Sequence, residues 1–196
     1  MSVIDTLIYD RSQADVAAVI ATKKKILEGG LSSLTTTEKS AYMAGMKGAY
    51  NYTDMNRVGE ATKYVADRMT ALPAIIKTYR EAKGVADADM FDVPYDPSDI
   101  SVTGKSTWTV SDIPTSKDLT TYLSDIRLLK SKVTLPPTVP SLPVNMAYLT
   151  VSGANAIEQT LAAVDTAVTD LESELKSKID NAANAFRYTG ITYCGA

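Results

Sequence analysis

The chain has 196 residues, 45% hydrophobic and 22% charged, with a net charge of −3 and no histidine. That composition suits one globular domain or two small ones and argues against disorder or a collagen-like fibre. The missing histidine removes the commonest general base, the Ser-His and Cys-His nucleophile pairs, and the imidazole ligands of ordinary zinc, copper and iron sites.

Any catalysis would have to run on carboxylates, lysine or tyrosine, so a structural or interaction role ranks above an enzymatic one. Mild acidity gives no general attraction to nucleic acid or acidic lipid, and the expected partners are proteins. No stretch approaches the ~18 apolar residues that a membrane-spanning helix requires. Residues 1–10 are acidic where a secretory signal would be basic. Cys194 is the single cysteine, so no intrachain disulfide is expected.

The first helical pattern follows Asp10. Ser12 with Asp15 three residues on forms a capping pair ahead of Val16, Val19, Ile20 and Ile26-Leu27, and Gly29-Gly30 stops the helix. A short bridging helix fits 37–44 with Thr37 as cap, before the turn Gly45-Met46-Lys47-Gly48. A third helix is expected to open at Thr53. Its apolar stripe runs Met55, Val58, Ala61, Val65, Met69, Leu72, Ile76 and Tyr79. Pro73 falls inside the stripe and predicts a kink or break near Leu72, because it deletes an amide and crowds the carbonyl four residues back.

Between 84 and 114 the pattern turns irregular, with Pro94, Pro97 and Pro114 among aspartates. The alternation from Ile100 to Val110 could form a short strand or hairpin, with Trp108 as the core anchor. A fourth helix begins at Thr115 with Asp118 in capping register and continues through Leu119, Tyr122, Leu123, Ile126, Leu129 and Val133. Pro136, Pro137, Pro140 and Pro143 then make 135–143 a stiff, extended spacer.

The last helix, 153–186, is the most regular feature. Ala154, Ile157, Leu161, Val164, Val168, Leu171 and Leu175 alternate by three and four, and Ile179, Ala182 and Phe186 continue after an extra four-residue step. Such a stripe serves either an intramolecular bundle or a seam between copies formed by Ile157, Leu161, Val164, Val168, Leu171 and Leu175. Residues 187–194 read as a short terminal strand. The expected fold is mainly α: a bundle of long antiparallel helices with one irregular connection able to hold a hairpin, and a C-terminal strand. It divides into 1–134, the spacer 135–143, and 144–196, with the first and last parts packed as one domain.

The site patterns are incomplete. Gly104-Lys105-Ser106 resembles the end of a phosphate loop, but Asp99 stands where its first glycine belongs. Asp87, Asp89, Asp92, Asp96 and Asp99 do not match the calcium-loop spacing, since Phe91, Asp92 and Ser98 occupy its fifth, sixth and twelfth positions. Lys23-Lys24-Lys25 reads as a solvated helix face, and Asn51-Tyr52-Thr53 is only formally a glycosylation sequon. No catalytic residue, metal ligand or cofactor is assigned. Eleven tyrosines against two phenylalanines mildly favour interaction surfaces.

Four segments carry a resemblance: 10–16 (Asp-Arg-Ser-Gln-Ala-Asp-Val), 45–59 (Gly-Met-Lys-Gly-Ala-Tyr-Asn-Tyr-Thr-Asp-Met-Asn-Arg-Val-Gly), Trp108 with 112–115 and Tyr122-Leu123, and 153–158 (Gly-Ala-Asn-Ala-Ile-Glu). Together they resemble small structural proteins encoded among the tail, baseplate and fibre genes of phages and prophages of Gram-positive bacteria. The resemblance implies a virion component made in the host cytoplasm. It supplies no catalytic residues, and with the charge and hydropathy above the expected partners are other virion proteins and further copies of the chain, with no nucleic-acid binding and no membrane insertion. Alternatives are a non-virion helical adaptor docking a partner helix and, ranked well below, a two-carboxylate enzyme acting on the host envelope.

Overall fold

A computed structural model describes residues 2–189. Five α-helices make up its regular structure: α1 (Gln13–Gly29), α2 (Thr36–Met43), α3 (Tyr52–Ala82), α4 (Ser116–Ser131) and α5 (Val151–Thr189). There is no strand among the described residues.

Local chemistry explains where four of the helices start. Ser12 and Asp15 close a capping box on α1, Thr115 and Asp118 do so on α4, and in each the hydroxyl accepts an amide while the carboxylate accepts the cap's own N–H. The cap of α2 is Thr35 rather than Thr37, because Glu38 lies three residues after Thr35 and completes the box. α3 likewise begins earlier than expected. Asn51 caps it and Asp54 returns the bond to the Asn51 amide at 2.9 Å, which gives the sequon asparagine a structural task.

α3 passes through Pro73 as one uninterrupted helix. The carbonyl that Pro73 leaves without its helical donor is that of Met69, and the Tyr95 hydroxyl donates to it at 3.0 Å. A side chain from the irregular connection thus fills the gap in the helical ladder.

The core lies between α3, α4 and α5. Val58, Ala61, Val65, Met69 and Leu72 of α3 meet Leu123, Ile126 and Leu129 of α4 and Ile157, Leu161, Val164 and Val168 of α5. α4 before the proline-rich segment and α5 after it therefore share one apolar core.

The expected antiparallel arrangement is corrected by the pairing across α3 and α5. Arg57 meets Glu158, Arg68 meets Asp165, and Tyr79 meets Asp180, so the numbers rise together and the two helices are parallel. α4 follows the same direction. Its first half lies against 144–147, just ahead of α5, and the chain beyond its end lies beside 163–178 of α5. Antiparallel neighbours follow from short loops, whereas the segments 83–115 and 132–150 are long enough to carry the chain back to the starting end.

Nor is 100–110 a hairpin. Its backbone partners are side chains: Asn56 receives the Trp108 N–H at 2.5 Å and donates to the Trp108 carbonyl at 2.8 Å. The expected terminal strand fails at its start, because residues 187–189 are helical within α5. Residues 190–194, including Cys194, and the side chain of Phe186 lie outside the described residues.

The proline-rich segment is fastened along α4. Arg127 donates to the carbonyls of Pro143 and Val144 at 2.6 and 2.9 Å, and Lys130 reaches that of Pro140 at 3.3 Å. α1 and α2 stand apart, since no residue of 13–49 belongs to the main core. Within 13–49 the buried residues are Val19, Thr22 and Leu34.

Candidate functional site

Three places on the molecule gather polar or apolar side chains in a way that could serve function. The most elaborate is a buried knot where the N-terminal segment crosses the first turns of α3 and α5. Arg11 Nη2 lies 2.7 Å from both Asp54 Oδ1 and Glu158 Oε1, and Arg57 Nη2 lies 2.5 and 2.8 Å from the same two oxygens. Two cations thus face two carboxylates, and Glu158 has no solvent exposure. Further lone pairs and donors are also used. The Ile8 amide donates to Glu158 Oε2 at 2.6 Å and Arg57 Nε to the same oxygen at 3.0 Å, while Arg11 donates to the carbonyls of Lys47 and Ile8. Asn155 pairs with both the amide and the carbonyl of Arg11, at 3.0 and 2.9 Å.

Electrostatics within the knot follow from this closure. Burial alone would lower the Arg57 pKa, yet the hydrogen bonds and charges of Glu158 and Asp54 outweigh it and hold the guanidinium above its ordinary value. Beside the knot the Tyr50 and Tyr122 hydroxyls bond to each other, and burial pushes both pKa values up. A buried ion pair is retained at a desolvation cost, and that cost is offset only when every member has partners. Asp54 and Glu158 meet that condition, with every carboxylate oxygen accepting from a partner within the fold.

The four segments that carry the sequence resemblance converge here. Arg11 comes from the first, Asp54 and Arg57 from the second, and Asn155 and Glu158 from the fourth, while the third places Tyr122 beside the knot against Tyr50 and ties Trp108 to Asn56 of α3. Two glycines of the second segment are fixed by close approach. A Cβ on Gly48 would sit 2.1 Å from the Asp15 carbonyl oxygen, and one on Gly59 would sit 3.0 Å from that of Lys105. These segments therefore contain residues that fasten the N-terminal segment and the 103–108 segment to α3.

The second place is the Gly104-Lys105-Ser106 turn. The amides of Thr103 and Gly104 converge on one anion as in a phosphate-binding nest, but the anion is the chain's own Asp125, at 2.9 and 2.7 Å. Lys105 sits 4.5 Å from the centre of the Trp108 ring and pairs with Asp112. The anion site is thus filled from within, and Trp108 is a buried core residue whose indole N–H donates to the Lys105 carbonyl at 2.9 Å.

The third place is a groove of about 920 Å³ between α5 and the segment leaving α4. Ala163, Ala167 and Leu171 of α5 face Val133, Leu135, Pro136 and Pro137, and Asp92, Asp170 and Glu174 stand at its rim with Lys178. Of the expected seam, Leu171 and the nearly fully buried Leu175 line this groove. Ile157, Leu161, Val164, Val168 and Leu175 are buried in the chain's own core, so they face α3 and α4 rather than a second copy.

The acidic loop disperses its charges instead of gathering them. Asp87 pairs with Arg80 at 2.9 Å, Asp99 with Lys132 at 2.8 Å, and Asp96 accepts from the Ser98 amide. No group of three metal-binding side chains occurs among the described residues, and no described helix is long and apolar enough to cross a membrane.

The sequence pattern assigns no individual role to Arg11, Asp54, Arg57 or Glu158. One signal was present: Glu158 lies four residues after Ala154 and three before Leu161, which puts a carboxylate on the apolar stripe of α5. Set against models of known families, curated proteins and solved structures, the chain matches none.

Proposed function

We infer that the chain is a structural component of a phage tail, baseplate or fibre region, acting as an adaptor through self-association and contacts with other virion proteins. The supporting observation is the convergence of the four resembling segments at and beside the buried knot. Residues shared with such proteins would then be the ones that set a rigid scaffold, which is what an assembly component requires. The closed knot and the filled anion nest are spent on holding the fold, while an apolar groove and a detached helical arm remain accessible.

A second reading, a helical adaptor outside any particle, is favoured by the groove on α5, whose apolar floor and charged rim suit a partner helix. Mass spectrometry of purified particles from the source organism separates the two. The virion reading expects the chain at a fixed stoichiometry in the particle, and its restriction to the unsedimented fraction would leave only the second reading standing.

A further inference from the structure

Two accessible features of this chain are complementary to each other. The first is the arm formed by α1 and α2. Ile20 and Leu27 of α1 are 62% and 87% exposed, seven residues apart on one helical face, with Lys23 and Lys24 between them on its flanks. Lys23 has no ion-pair partner among the described residues, and Lys24 reaches only the exposed Glu28 at 3.8 Å. A two-helix arm in which Val19, Thr22 and Leu34 are the buried residues hides little apolar surface, and short helices without tertiary packing are marginal in water.

The second feature is the groove on α5. Its floor is apolar at Leu135 and Leu171 and recessed at Ala163 and Ala167, and its rim carries Asp92, Asp170 and Glu174. Against them stands the single cation Lys178, which pairs with Glu174 at 2.7 Å and leaves the rim net acidic. No residue of the arm lines the groove of its own copy. The dimensions agree: α1, with 17 residues, spans about 25 Å, and the α5 stretch 163–178 spans about 22 Å.

We propose that α1 of one copy lies in the α5 groove of the next, with Ile20 and Leu27 against the apolar floor and Lys23 and Lys24 against Asp170 and Glu174. The contact is head-to-tail, so each copy keeps a free arm and a free groove until a ring closes or a filament grows. It deepens the assembly reading above by naming both surfaces, and it rests on that reading.

Charge reversal on each side tests it in the full-length chain by sedimentation velocity over a concentration series. The wild type is expected to associate beyond a dimer or to stop at one closed ring. K23E/K24E and D170K/E174K, all surface changes, are each expected to weaken association about tenfold or more while keeping the wild-type circular dichroism spectrum. Mixing the two variants restores association, because the acidic arm of one now meets the basic groove of the other.

A wild type that remains monomeric up to about 1 mM, the scale of a ~4 kcal/mol contact, overturns the proposal. So does a groove variant that associates like the wild type, as an arm-to-arm contact would, or a mixture that stays dissociated. A chain found in particles but monomeric in solution would keep the proposed function and lose this contact, so the two failures are distinguishable.

Discussion

The knot around Glu158 and the arm of α1 and α2 are both built from charged and apolar residues, yet they hold together by opposite means. In the knot, ions are stripped of water and saturated with partners, and the backbone of three segments is fixed by side chains. In the arm, the ion pairs Lys24–Glu28 and Lys25–Glu38 are solvated, and the apolar residues Ile20, Leu27 and Met43 face outward. Burial decides what losing a partner costs here, since stranding a desolvated charge costs several kcal/mol whereas a surface pair contributes little. The knot therefore defines the scaffold, and the arm is left available.

The largest effect should come from removing one partner of the knot. Glu158→Gln leaves two buried guanidinium groups facing the single carboxylate of Asp54 and is expected to cost about 3–5 kcal/mol in denaturant unfolding. Leu27→Ser in the arm should change stability by no more than about 0.5 kcal/mol. A Glu158→Gln variant as stable as Leu27→Ser would erase the distinction between the two regions.

A smaller and more specific effect concerns the gap at Pro73. Tyr95→Phe leaves the Met69 carbonyl unpaired beneath the loop, at a cost of about 1–3 kcal/mol. Pro73→Ala restores an amide donor to that carbonyl, so in its background Tyr95→Phe should cost less than about 1 kcal/mol. Equal costs in both backgrounds would show that the hydroxyl does not substitute for the missing helical bond. The buried Thr160 hydroxyl, which has no hydrogen-bond partner among the described residues, is the converse case. Thr160→Val should be neutral or stabilising by about 1 kcal/mol.

Alkaline titration sharpens the contrast between buried and exposed groups further. Burial raises Tyr95 to about 12 and pushes Tyr50 and Tyr122 up as well, all from an ordinary value of 10.0. Because the folded pKa lies above the unfolded one, their contribution to stability is complete below pH 10 and is lost as the pH climbs through the folded values. Tyrosinate absorbance should contain a late component from this trio that rises only as the chain unfolds at high pH. A single transition of all eleven near 10 would contradict the burial of this trio.

What could be read in the sequence follows the range of the interactions. Capping boxes at Ser12 and Thr115, and the stripes of α3 and α5, rest on contacts within four residues, and the structure contains them. The parallel course of α3 and α5 depends on how far two long connections return, which periodicity does not encode. The supposed strand at 100–110 has the alternation of a strand but finds Asn56 and Asp125 as partners instead of a second strand. Arg11 and Glu158 are 147 positions apart, so their pairing was invisible even though a carboxylate on an apolar stripe marked one end of it.

The smallest effect lies in the arm itself. Lys25 first, then the Thr35 amide and hydroxyl, stabilise the ionised Glu38 and lower its pKa from 4.5 to about 2. A depressed folded pKa means that this contribution is complete above about 4.5 and is lost as the pH falls toward 2, so α2 should loosen before the main core is touched. An NMR titration of the Glu38 carboxyl carbon checks it. Lys25→Ala should move the midpoint upward without changing the global unfolding transition, because the pair is solvated and joins only the two helices of the arm. A midpoint already near 4.5 in the wild type would mean that Lys25 does not clasp α2 to α1. The arm would then be looser still, and its ordering would have to come from the groove that receives it.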